Sequence, residues 1–167
     1  MKRASLQAPP IEPGSVIRRN GREIEMVQLR WGLQPRDAGD RPRTVIRSEG
    51  RRFESHRCLI PASEFRFSRG GERYKFTLHS GDWFYFAGIW RPGSPEWPEA
   101  YAALTIEANE DVASYHDRQM AVIRREDRML WLDHAVPEAE LLRPLPARSF
   151  DVQHVARQRR TQQALAL

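Results

Sequence analysis

Short apolar stretches separated by turn residues run along the chain as far as Ile106, and they predict strands. Residues 15–18 and 23–30 flank Asn20-Gly21, a dipeptide that favours a tight hairpin. Residues 35–43 form a polar loop, and 44–47 a short strand. Residues 58–60 are apolar and run into Pro61. Residues 64–67 and 74–78 flank Arg69-Gly70-Gly71, a second hairpin candidate. Residues 83–89 are aromatic and strand-like, and 101–106 predict another strand. The pattern then changes. Residues 110–115 fit one or two helical turns, and 125–132 read as a helix with Met129, Leu130 and Leu132 on its apolar side. Residues 137–142 read as a further helix with Pro137 near its first turn, and 151–155 as a last strand. Residues 1–14, with Pro9, Pro10 and Pro13, read as an irregular lead-in, and 157–167 as a flexible polar tail. There is no internal repeat. The expectation is one α+β or mostly β domain over residues 15–156.

A chain of 167 residues with 40% apolar content suits one domain with its own core. No apolar run approaches the roughly 18 residues of a membrane span. Met1-Lys2-Arg3-Ala4 is basic but has no apolar stretch behind it, so no secretory signal is expected. The lone cysteine, Cys58, excludes an internal disulfide and a multi-cysteine metal site. A cytoplasmic monomer without metal, cofactor or membrane contact is the expectation.

Charge changes the picture more. The formal net charge is +5, and of 27 Lys+Arg residues only Lys2 and Lys75 are lysine. Six arginines fall between Arg41 and Arg57. Arginine makes planar, bidentate phosphate contacts and stacks on bases, so a nucleic-acid partner is one reading. Codon composition alone also produces arginine-rich surfaces, and that reading stays open.

Five strings stand in order: Arg30-Trp31-Gly32-Leu33, Arg57-Cys58-Leu59-Ile60-Pro61-Ala62, Ala87-Gly88-Ile89-Trp90, Leu104-Thr105-Ile106-Glu107-Ala108-Asn109 and Tyr115-His116-Asp117-Arg118-Gln119-Met120. Together they resemble the SOS response-associated peptidase (SRAP) family of abasic-site processing proteins, from about Pro13 to Pro137. The resemblance implies curved antiparallel β-sheets in a barrel-like core with a few short peripheral helices. It also implies a DNA-damage response at abasic sites in single-stranded DNA. In the family, a cysteine follows the initiator methionine. Its α-amine condenses with the abasic aldehyde, and its thiol closes a thiazolidine, leaving a covalent DNA–protein crosslink. An α-amine suits the first step because its pKa lies near about 8. A proposed self-cleavage exposes that cysteine, and an asparagine, a glutamate and a histidine assist.

This chain departs from the pattern. Residue 2 is Lys2. The family's opening strand and helix, which precede the segment resembled by residues 15–18, are not found, so a late gene start or a natural truncation is expected. Cys58 lies mid-chain in the Arg-Cys-Leu-Ile-Pro string and reads as core packing. Against the family string Asn-x-Arg-x-Glu stands Val45-Ile46-Arg47-Ser48-Glu49, so the asparagine becomes Val45 while Arg47 and Glu49 remain. On a strand, residues 45, 47 and 49 share a face. Arg47 thus resembles a phosphate or base contact, with a surface salt bridge to Glu49 as the alternative. The glutamate position, nine residues after the motif cysteine, holds Phe67, and a phenyl ring is neither acid nor base. Glu64, three residues earlier, faces the other way unless a bulge re-aims it.

His116 matches the family histidine and is the candidate catalytic residue, histidine titrating near neutrality. Its alternative is a histidine that only hydrogen-bonds or touches phosphate. Arg118 resembles a DNA contact, Thr105 a pocket-lining position, and Trp31 a tryptophan on which a base stacks for about 1–3 kcal/mol. Core packing is the alternative for Trp31 and suits Trp83, Trp90 and Trp131 better. The DNA-binding set is therefore Trp31, Arg47, Glu49, Thr105 and Arg118. Four functional readings follow. They are a degenerate member that binds single-stranded or abasic DNA without covalent chemistry, a crosslinking sensor with an N-terminus upstream of this chain, an ordinary peptidase, and an interaction module without a DNA role. Loss at Val45 and Phe67 as well as residue 2 favours the first. The peptidase lacks a metal-ligand cluster or a Ser-His-Asp set.

Overall fold

The computed structural model describes residues 14–155. Of the expected lead-in only Gly14 falls within them, and Lys2 and the polar tail lie outside the described residues.

The first hairpin joins β1 (Gly14–Asn20) and β2 (Glu23–Trp31). Asn20 pairs with Glu23, so the loop is Gly21-Arg22, one residue later than the dipeptide predicts. Gly21 has φ +61, which a glycine at the first central position adopts without strain. After the polar loop come β3 (Val45–Arg47) and β4 (Arg57–Ala62). The second hairpin joins β5 (Phe65–Arg69) and β6 (Glu72–Leu78) through Gly70-Gly71. Both glycines have positive φ, +59 and +82, as a two-residue loop matched to strand twist requires. Then follow β7 (Phe84–Arg91) and β8 (Ala100–Glu107).

The last third holds short pieces: α1 (Glu110–Ala113), β9 (Arg118–Met120), β10 (Val122–Ile123), a 3₁₀ turn (Arg125–Asp127), α2 (Arg128–Leu132), α3 (Glu138–Leu141) and β11 (Phe150–Val155). The helix expected over 125–132 thus begins as a 3₁₀ turn. The two short strands β9 and β10 were not predicted. Each has too few residues to show a period, and each exists because it pairs with a longer strand, β9 with β8 and β10 with β7.

Among the described residues the main sheet has eight strands, in the order β10-β7-β4-β1-β2-β8-β3, with β9 also on β8. The additional pairing of β7 with β8 closes β7, β4, β1, β2 and β8 into a ring of hydrogen-bonded strands. The fold is mostly β with curved sheets and a few short helices, as the sequence predicts. The antiparallel expectation fails at β8, which pairs parallel with both β2 and β3. A second sheet, β11-β6-β5, packs on the first.

The core is in three parts. On one face of β8, Ala100, Ala102, Leu104 and Ile106 pack with Leu59, Ile89 and Trp131 of α2. On the other, Tyr101 joins Val16, Leu29, Trp31 and Cys58. Between the sheets lie Phe65, Phe67, Phe76, Phe84, Phe86 and Phe150, with Phe65 and Phe76 stacked at 5.0 Å. One buried cation fastens the periphery. Arg57 donates from Nε to the Phe53 carbonyl at 2.8 Å and from Nη1 to the Trp131 carbonyl at 3.0 Å. Its Nη2 lies 3.1 Å from Glu138, and its guanidinium sits 4.3 Å above the Trp131 ring. The arginine thereby ties β4 to the loop before it and to α2 and α3.

Gly88 marks the tightest approach in the ring. A Cβ there would lie 2.9 Å from Cys58 Sγ, 3.0 Å from the Ala102 carbonyl oxygen and 3.0 Å from Ile60 Cδ1. Gly88→Ala is expected to cost about 1–3 kcal/mol, since a packed wall must shift to admit a methyl. Urea denaturation checks this, and an unchanged midpoint would show that the wall yields.

Candidate nucleic-acid interface

The C-terminal half of β8 is flanked by β3 on one edge and β9 on the other. Arg47 pairs with Thr105, and Arg118 with Glu107. The Ser48 amide continues the β3 pairing by donating to the Thr105 carbonyl at 3.1 Å. A turn at Gly50, φ +73, then brings Glu49 round, and the Arg51 amide donates back to the Ser48 carbonyl at 3.2 Å.

This places Glu49 opposite Arg118. The guanidinium donates to both carboxylate oxygens, at 2.5 Å and 2.9 Å, and from Nη2 to Thr105 Oγ1 at 2.9 Å. The pair is a bidentate fork with a hydroxyl as third support. The hydrogen bonds from Arg118 hold the Glu49 carboxyl below the usual carboxylate range. Arg47 stands beside it with its side chain 71% exposed, and its Nε is 3.7 Å from Glu49. The salt bridge raised as the alternative for Arg47 is therefore loose, because Glu49 is already committed to Arg118.

His116 follows α1 directly. Asn109 caps α1 by accepting from the Val112 amide at 3.1 Å, and buried Gln119 accepts from the Asn109 amide at 2.8 Å. The Tyr115 and His116 amides both donate to the Val112 carbonyl. His116 Nδ1 accepts from the Arg118 amide at 2.9 Å, so a neutral ring carries its proton on Nε2. The imidazole stacks on Phe67, centroids 5.0 Å apart and 17° from parallel. Phe67 is 2% exposed, so the position that holds a glutamate in the resembled family here supplies a wall. Glu64 accepts from Arg66 Nε at 2.6 Å, and its side chain is 35% exposed.

The structure thus brings together Arg47, Glu49, Thr105, His116 and Arg118. Trp31 is not among them. It is 6% exposed, its Nε1 donates to the Thr44 carbonyl at 2.8 Å, and its ring lies parallel to Tyr101. Packing in the core describes it, and no open ring face is left for a base. Trp83 departs the other way from the core role expected of it, being 43% exposed.

Sequence reasoning placed Arg43 and Arg51 in its arginine-rich stretch but did not join them to Arg36 and Arg91. Arg43 is held below its ordinary pKa by burial and by the like charges of Arg36, Arg51 and Arg91. Among the described residues none of these four forms an ion pair. Arg91, at the end of β7, had no sequence signal linking it to the polar loop. Among the described residues no group of three or more His, Cys, Asp or Glu side chains could hold a metal ion, and no helix is long and apolar enough to cross a membrane.

A family model described as SOS response associated peptidase (SRAP) matches residues 2–160. The chain is 28% identical over 161 residues to the abasic site processing protein YoqW of Bacillus subtilis (strain 168), covering 84% of this chain and 72% of that protein. The YoqW of Bacillus phage SPbeta matches to the same extent. A crystal structure of a Bordetella bronchiseptica protein superposes with TM-score 0.65 at 24% identity, covering 91% of this chain and 90% of that one. A Bacteroides thetaiotaomicron protein gives 0.67 at 19%, covering 87% and 75%.

Cys58 lies outside the cluster. It is fully buried, and burial pushes its thiol far above the ordinary range. A thiol of that kind is not a nucleophile at neutral pH. A disulfide reagent is expected to leave the folded chain unmodified and to titrate one thiol per chain after denaturation. Rapid reaction of the native protein would contradict the packing role.

Proposed function

The chain belongs to the SOS response associated peptidase (SRAP) family, and we propose that it serves a DNA-damage response by associating non-covalently with single-stranded DNA at abasic sites. The observation that carries this reading is the cluster of Arg47, Glu49, Thr105, His116 and Arg118, with an exposed guanidinium beside a fixed one. The names of the YoqW relatives support abasic sites as the target. The cations Arg36, Arg43, Arg51 and Arg91, which no carboxylate among the described residues neutralises, supply attraction to a polyanion.

Within the cluster the roles divide. Arg47 contacts a phosphate. Arg118, with two of its nitrogens engaged, positions the strand and fixes His116 through its own backbone amide. His116 serves as a contact residue. Covalent chemistry of the family kind needs an amine and a thiol on one residue, and Cys58 provides neither access nor the amine. Val45 and Phe67 remove the polar groups that assist it in the family. What is left acts by charge and shape rather than by proton transfer.

Two measurements test this. On native and denaturing gels with single-stranded DNA carrying one abasic site, a shift is expected on the native gel only. A heat-stable band specific to the abasic strand would instead support the crosslinking reading, and no shift on either gel would sink the DNA role. In salt titrations, Arg47→Ala is expected to weaken binding and to reduce the slope of log affinity against log salt by about 0.7, one phosphate contact on a single strand. Glu49→Gln, which releases Arg118 from its carboxylate, is expected to strengthen binding several-fold. Weaker binding by that variant would show that the pair itself is the recognition element.

A further inference from the structure

A groove of about 240 Å³ lies where the turn between β6 and β7 faces the 3₁₀ turn and the approach to β11. It shares no residue with the cluster around Arg118. Trp83 lies on it, the tryptophan that the core does not use, 43% exposed. Tyr85 holds its indole edge-on at 5.0 Å, and the Arg125 guanidinium sits 4.8 Å from the ring centroid. Arg124 and Arg148 also line the groove. Among the described residues neither guanidinium has a hydrogen bond or ion pair. The acids there are Asp82, bonded to Ser80 and 3.9 Å from Arg125, and Glu126. His79 is paired with Asp151, which raises its pKa, so the groove is cationic on balance.

A second observation concerns the backbone. Arg148 has φ +68, a left-handed conformation that a non-glycine residue adopts at a cost. Asp111 holds it there, with Oδ1 accepting from the Arg148 amide at 2.8 Å and Oδ2 from the Phe150 amide at 3.0 Å. Strain fixed in this way, under a side chain with no internal partner, is characteristic of ligand clamps. An exposed indole beside unpaired guanidiniums recognises one chemistry well, a flat ring joined to a phosphate. The groove is smaller than the roughly 300–1,000 Å³ of an enclosing ligand pocket, so it suits a phosphate and its sugar with the ring lying outward on the indole.

We propose that this groove binds a nucleotide, its phosphate held by Arg124 and Arg148 and its base stacked on Trp83. The nucleotide is either free or one unit of a DNA strand. Calorimetry of the full chain with dAMP, deoxyadenosine and inorganic phosphate, and with a 5′-phosphorylated oligothymidylate, tests the proposal. One dAMP per chain is expected, tighter than deoxyadenosine or phosphate alone, with Trp83→Ala and Arg148→Gly each weakening it about tenfold. Glycine fits the left-handed backbone at 148. Arg124→Gln gives an independent loss should thermal melting show that a variant is destabilised. Oligonucleotide binding that drops in the same variants while free dAMP does not bind would assign the groove to a strand. The proposal is overturned if neither probe responds to Trp83→Ala and Arg148→Gly, or if inorganic phosphate binds as tightly as dAMP. Arg47→Ala should leave dAMP binding unchanged, so failure of the abasic-site reading shows separately.

Discussion

Strand β8 is the constraint on which the rest depends. Its first half is held between β2 and β7, and its second half between β3 and β9. Every residue from Ala100 to Ile106 is buried, so neither face offers slack. The ring closes because β7 and β8 pair through Gly88↔Ala103 and Ile89↔Ala102, where small side chains let the strands lie close to their neighbours. A register slip of one residue would exchange the faces, sending Tyr101 toward the α2 side and Leu104 toward Cys58. The same strand then delivers the site. Arg47 and Arg118 lie on strands that do not touch each other, and only their pairing with opposite edges of β8 sets them around Thr105.

The arginines divide by burial, which composition cannot show. Arg57 is almost wholly buried, with every guanidinium nitrogen engaged. Removing a partner from such a buried charge typically costs about 3–5 kcal/mol. Arg18 likewise lies 4.2 Å over Trp90 and bonds Glu25 and Glu99. These two are parts of the fold. Arg47, in contrast, gains at most about 1 kcal/mol from its exposed contact with Glu49. Its stabilising role is so small that the fold gives little reason for its type.

Much of the fold was legible because its signals are local. Asn20-Gly21 and Gly70-Gly71 announce hairpins through the φ values their loops demand, and 101–106 carries an apolar run that only a strand buried on both faces can use. The motif strings pointed to candidate residues one by one, but not to which of them assemble, and Trp31 does not join the others. Strands β9 and β10 are too short to have a period. The parallel edges of β8 arise from tertiary pairing across long loops. Arg36, Arg51 and Arg91 act on Arg43 by charge through the fold, which no local signal announces. The tryptophans show the same limit: Trp31 ends β2 and Trp83 immediately precedes β7, and tertiary packing puts the first inside and leaves the second on the surface.

Phe67 holds the shape of the cluster around His116 without offering it a carboxylate. A glutamate against His116 would interact with the imidazole as charge and as proton acceptor. A phenyl ring offers neither, yet its stacked face fixes the orientation of the imidazole, and the Arg118 amide fixes its Nδ1. The ring is thus held in orientation, while Phe67 itself offers it neither an acid nor a base. Val45, exposed at the place of an asparagine, works in the same direction by leaving no donor next to Arg47. What the surface keeps is the Arg118–Glu49 fork with Thr105 behind it and the exposed Arg47 guanidinium beside it. A surface of this kind supports the proposed reading, in which long-range charge draws in a phosphate chain and no bond is made or broken.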